Sequence, residues 1–99
     1  LFRSLAHWGV GILFYRILKK QVKEVLKNIW YDTAASPFLF DPIIYEIAAL
    51  TGVMDKVLFG TDFPLLTADR YYRDLEAVPM TDGQKRMVLG ENARKLFGL

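Results

Sequence analysis

The spacing of apolar positions changes several times along this chain, and each change marks an element. Leu1–Trp8 is rich in apolar residues and predicts a short strand with His7 near its end, followed by a flexible turn at Gly9 and Gly11. From Ile12 to about Lys27 the period lengthens. Phe14, Ile17, Leu18, Val22, Val25 and Leu26 recur at three- and four-residue steps, which predicts a helix with one apolar face. Lys19, Lys20, Lys23 and Lys27 fall mostly on its other side, and Asn28 ends it. Asn28–Ala34 predicts a second strand, because Ile29, Trp30 and Tyr31 suit a sheet; Asp32, Thr33 and Ser36 cluster at its carboxyl end, and Pro37 opens a loop.

Asp41-Pro42 predicts a helix start, with Asp41 as N-cap and Pro42 in the first turn; the helix runs to about Thr51 and stops at Gly52. Val57–Gly60 predicts a third strand, a continuous apolar run of the kind buried on both faces. Thr67 then caps a helix over Ala68–Ala77, and Pro79 breaks the chain. Thr81 and Gln84 have the spacing of a capping box, Gly90 interrupts the helix they open, and Glu91–Phe97 adds a last short one. The order β-α-β-α-β-α-α-α predicts an α/β fold with a parallel sheet and right-handed crossovers. There is no internal repeat and no low-complexity segment.

Composition narrows the class. With 99 residues, 53% of them hydrophobic, the chain has material for one core and not for two domains. No cysteine is present, which removes disulfides and thiolate metal sites and suits a reducing cytoplasm, the expected location. No apolar stretch approaches the roughly 20 residues of a membrane helix. The N-terminus has neither a signal-peptide pattern nor an initiating Met, and a chain that opens inside a strand predicts further sequence upstream. A net charge of +2 is too mild to argue for nucleic acid. The lysine face, interrupted by Glu24, reads as the solvated side of an outer helix.

The candidate chemistry lies in Val57-Leu58-Phe59-Gly60-Thr61-Asp62-Phe63-Pro64, a buried strand that stops at a carboxylate. In parallel α/β proteins ligands bind at the carboxyl ends of the strands. Asp62 is placed there to hold a metal or take a proton, or else to cap the turn before Pro64; the octapeptide alone favours neither. His7 ends another strand and is either a packed residue or a functional one. Asp32 is expected to bond the backbone of its own turn, and Asp41 to cap a helix. Trp8, Trp30, Tyr31 and Phe63 are expected in the core rather than as stacking residues.

Four segments carry a resemblance. Leu5-Ala6-His7-Trp8-Gly9-Val10-Gly11, Asn28 through Ser36, Val57 through Pro64 and Gly90 through Leu99 occur in an order that resembles the carboxyl-terminal end of an amidohydrolase-related protein of the amidohydrolase 2 type. That family contains metal-dependent hydrolases and decarboxylases on a (β/α)8 barrel. The resemblance implies a single partial domain over residues 1–99 that holds the sixth, seventh and eighth strands, their helices and a helical extension. It implies that Asp62 is a metal-ligating aspartate, and that His7 ligates a second metal or orients the attacking water. Phe14 and Tyr15 and the loop after Ser36 would border the substrate pocket. The implied cofactor is a divalent metal, zinc in the first place, which activates a water whose proton a carboxylate accepts.

The family's His-x-His and its middle-strand lysine or histidine are absent, His7 is the only histidine, and Val10 replaces a frequent glycine. A zinc-type site takes three or more protein ligands, and Asp62 and His7 supply two at most. The expectation is therefore an enzyme piece, inactive by itself, whose parent hydrolyses a C–N or ester-like bond or decarboxylates a small-molecule substrate. Its partners would be the remaining amino-terminal part of the barrel or another copy of the chain. The alternative is a non-catalytic α/β interaction module. Either way, open sheet edges predict a homo-oligomer when the 99 residues stand alone.

Overall fold

A computed structural model describes residues 3–10 and 24–99. The expected helix from Ile12 lies largely outside them, as do Phe14 and Tyr15. Three parallel strands form one sheet in the order β1-β2-β3: β1 is Arg3–Leu5, β2 is Ile29–Asp32 and β3 is Val57–Leu58. The register pairs Leu5 with Tyr31 and Tyr31 with Val57, so β2 is the central strand. Each strand is shorter than its apolar run. The segment after Leu5 curls into a 3-10 turn at His7–Gly9, and those after Asp32 and Leu58 leave the ladder to form loops.

Helix α1, Ser36–Leu39, stands where Pro37 suggested a loop; the proline occupies the first turn, where its missing N–H costs nothing. Helix α2, Ile43–Leu50, begins as the sequence predicts, with Asp41 Oδ1 accepting the Ile43 N–H at 3.0 Å. Its end is a Schellman motif: Val53 N–H reaches Ala48 O at 3.0 Å and Gly52 N–H reaches Ala49 O at 3.2 Å. Gly52 takes a φ of +76°, which this motif requires and a side chain resists. Helix α3 covers Ala68–Ala77, the range expected from the sequence, but the Thr67 side chain makes no capping bond. The Thr81–Gln84 capping box is formed in both directions and opens α4, Asp82–Arg86. A π-type turn over Met87–Glu91, broken at Gly90, leads into α5, Asn92–Leu96.

The core joins the sheet to the helices through Trp8, Tyr31, Tyr45, Ala48, Val53, Val57, Leu75 and Val88, all essentially inaccessible to water. Trp8 meets Tyr45 edge to face at 5.3 Å, a geometry aromatic pairs prefer. At the amino end of β3 the buried Asn92 amide donates to Met54 O at 2.7 Å and to Val57 O at 2.9 Å. One side chain thus satisfies two carbonyls and fixes α5 to the sheet. Lys27 pairs with Glu24 at 2.5 Å on the surface. No helix among the described residues is long and apolar enough to cross a membrane.

Candidate active site

Three parallel strands deliver three turns to one end of the sheet. The turn after β1 is the most unusual. His7, Trp8, Gly9 and Val10 all have positive φ, between 52° and 66°. For a residue with a Cβ this left-handed region costs about 1–2 kcal/mol, so something must hold the turn. Asp32, at the end of β2, accepts the His7 N–H at 3.0 Å. The His7 ring bonds through Nδ1 to Ala34 O at 2.8 Å. Trp8, fully buried, donates its indole N–H to Ser36 Oγ at 2.6 Å, and Ser36 Oγ donates to Thr33 O at 2.7 Å.

The second and third turns are stapled to each other. Thr33 Oγ1 donates to Gly60 O at 2.8 Å and accepts the Gly60 N–H at 3.0 Å, and Thr33 N–H meets Leu58 O at 3.0 Å. Gly60 faces the neighbouring turn closely: a Cβ there would come to 4.0 Å from the Asp32 Cβ. Asp62 follows at a φ of +60° and heads a turn closed by Leu65 N–H on Asp62 O at 2.9 Å. From α3, the buried Tyr71 donates its hydroxyl to Thr61 O at 3.0 Å, next to Asp62, and packs edge-on against Phe59 at 5.4 Å. Burial, first of all, raises the Tyr71 phenol above its ordinary value. The Ala35 and Ser36 backbone groups oppose that rise, and the Asp62 and Asp32 charges add to it. Tyr45 is likewise raised, chiefly by burial.

His7 and Asp62 therefore share one end of the sheet. They end β1 and β3, on either side of β2, so about 10 Å of sheet separates their strands. Among the described residues no group of three or more His, Cys, Asp or Glu side chains could hold a metal. By type, the two side chains fit a divalent ion. The Asp62 carboxylate is exposed to solvent, and His7, anchored at Nδ1, presents Nε2 as its second donor. By number they fall short of a complete set. A surface hollow lined by Trp30, Asp55, Asn92, Lys95 and Leu96 involves neither residue.

Asp32 bonds its own turn as expected, accepting the Ala34 N–H at 3.0 Å, but its bond to His7 spans 25 residues and has no local signal. Thr33 and Ser36 were visible as a polar cluster at a strand end. Tyr71 was missed in the sequence, because its bond to Thr61 joins a helix to a loop ten residues earlier.

A family model described as amidohydrolase, of the amidohydrolase 2 type, matches residues 5–99. Among solved structures, the chain superposes on a dihydroxybenzoic acid decarboxylase from Polaromonas sp., determined with bound manganese and the inhibitor 2-nitroresorcinol. The TM-score is 0.77 and the identity 18%, over 97% of this chain and 33% of that one. It also superposes on a 2,6-dihydroxybenzoate decarboxylase in complex with 2,6-dihydroxybenzoate, with a TM-score of 0.75 and 22% identity, over 96% of this chain and 34% of that one. The chain thus spans about a third of these barrel proteins, and its three parallel strands with their helices are part of a (β/α)8 architecture. No curated protein matches the sequence.

Proposed function

The chain belongs to the amidohydrolase family, and from that membership we propose that it is the carboxyl-terminal part of a metal-dependent barrel enzyme, contributing its last three strands. The reading we favour is decarboxylation of an aromatic acid of the dihydroxybenzoate kind. Hydrolysis of a C–N or ester-like bond is the family's other chemistry. The observation that carries the reading is the placement of His7 and Asp62 at the ends of β1 and β3, with His7 anchored through Nδ1. Both solved relatives bear the name of a decarboxylase, which favours that reaction over hydrolysis.

In this reading Asp62 offers an oxygen to a divalent ion, and the other ligands come from strands outside this chain. When bound, the ion supplies positive charge that holds and polarises the acid group of the substrate. His7 works at Nε2, where a proton can be held or moved while Nδ1 stays tied to Ala34. Phe63 and Leu65, exposed just beyond Asp62, would wall an aromatic ring and keep water from it. An oxygen and an imidazole donor suit zinc or manganese alike.

The test is to read the coding frame upstream of Leu1 and express all of it. A frame long enough for a barrel, with His-x-His on an early strand, should yield a protein with stoichiometric divalent metal that Asp62→Ala loses. Release of carbon dioxide from dihydroxybenzoates would then separate lyase from hydrolase. A frame that begins at Leu1, or a folded whole protein that binds no metal, overturns the enzyme reading. The second reading, a self-associating module, is favoured by exposed apolar side chains such as Phe38, Leu39 and Leu50. A metal-free oligomer of the 99-residue chain, with no longer frame upstream, would support it.

A further inference from the structure

The three hydrogen bonds around His7 form a closed circuit. One oxygen of Asp32, Oδ1, accepts both the His7 N–H and the Ala34 N–H, each at 3.0 Å. The two residues so bridged then meet through their other groups, His7 Nδ1 against Ala34 O at 2.8 Å. A carbonyl can only accept, so Nδ1 carries the hydrogen, and in the neutral ring Nε2 keeps its lone pair. A free, neutral histidine side chain prefers the opposite tautomer. The turn that presents the ring is also left-handed, with φ of +52° at His7 and +58° at Trp8, conformations that such residues avoid without support.

We propose that Asp32 is the positioning residue of His7: its single oxygen ties the strained turn to the Ala34 backbone, so that the ring is held with hydrogen on Nδ1 and Nε2 open for chemistry. The bond is to the His7 main chain rather than the ring, so Asp32 acts through backbone geometry. What it must supply is an acceptor at that place; a negative charge is not needed. This distinguishes the proposal from a plain turn cap. A cap on Ala34 alone would stiffen the loop and leave the tautomer of His7, 27 positions earlier, unchanged.

His7 is the only histidine of these 99 residues, so a long-range proton–nitrogen correlation spectrum of the chain reads one signal set without ambiguity, and in the longer protein the His7 signals are those that His7→Gln removes. At a pH where the imidazole is neutral, the wild-type chain should show the Nδ1–H tautomer. Asp32→Asn, which keeps an acceptor in place, should keep it. Asp32→Ala should shift the majority to Nε2–H. Asp32→Glu, which retains the charge but moves the oxygens by one methylene, should do the same and decides the matter if the alanine variant fails to fold. A folded Asp32→Ala or Asp32→Glu chain that still holds Nδ1–H overturns the proposal, as does a wild-type chain with Nε2–H. The inference rests on reading His7 as a site residue, but the tautomer is measured without turnover. A metal-free whole protein with Nδ1–H overturns the function and leaves the positioning intact, and an active one with Nε2–H does the reverse.

Discussion

At the carboxyl end of the sheet five residues with a Cβ take a positive φ: His7, Trp8, Val10, Ala35 and Asp62. Away from that end, among the described residues, positive φ falls to Gly52 and Gly98. The amino end is built the other way. There Asn92, the first residue of α5, bonds the carbonyls of Met54 and Val57, just before and at the start of β3. One end stores backbone strain and ties it down with side-chain bonds; the other minimises strain. Glycine would relieve that strain, but at Trp8 the side chain itself fills the core and holds the turn.

That contrast breaks most visibly at Trp8. Trp8→Ala removes a buried indole, its bond to Ser36 and its contact with Tyr45, and should cost roughly 3–5 kcal/mol in urea unfolding. If the loss is under about 1 kcal/mol, the strained turn is not held by its side chain. Next is Asn92→Ala, which removes the side-chain donor from two carbonyls, of which Met54 O keeps the Val57 N–H, and should cost about 1–3 kcal/mol, lowering the midpoint of thermal unfolding while the His7 tautomer stays as it was. A change in the tautomer would mean that the two ends are coupled.

The caps give a smaller and sharper comparison. Thr81→Ala should cost about 1 kcal/mol, whereas Thr67→Ala, with no side-chain bond to lose, should cost near zero. Equal losses would contradict the difference between the two helix starts. Asp62→Gly should raise stability by about 0.5–1 kcal/mol while abolishing metal binding in the whole protein, since glycine accepts φ of +60° without strain. A destabilised Asp62→Gly would show that the carboxylate is structural.

At neutral pH the smallest effect comes from Tyr45. Its phenol is raised in the folded chain by burial, so the neutral form is the one the fold favours. This contribution is fully present below the unfolded tyrosine value of about 10 and is lost as pH rises beyond it toward the folded value. Unfolding curves should therefore be flat in this respect through neutrality and weaken above about pH 10, and Tyr45→Phe should weaken less steeply.

Elements governed by neighbours three or four residues apart could be read directly. The end of α3 follows from Pro79, the Thr81–Gln84 box from its spacing, and the end of α2 from Gly52. The strands were recognisable but their ends were not, because leaving the ladder depends on bonds made by the next turn, such as Thr33 to Gly60. Asp62 and His7 could be picked out as strand-end residues. Asp32 looked like a turn residue, Thr67 looked like a working cap, and α1 looked like a loop.

By itself, then, the sequence determined the α/β order, the parallel sheet, the one-core size and which residues stand at the strand ends. These depend on local period and composition, which a chain carries wherever it folds. Only the tertiary structure decided that Asp32 reaches back to His7, that Trp8 to Ser36 locks a left-handed turn, and that His7 and Asp62 stand on opposite sides of a central strand. Those facts join residues 25 or more positions apart, and no spacing along a chain encodes which distant groups will share an oxygen once the strands have paired.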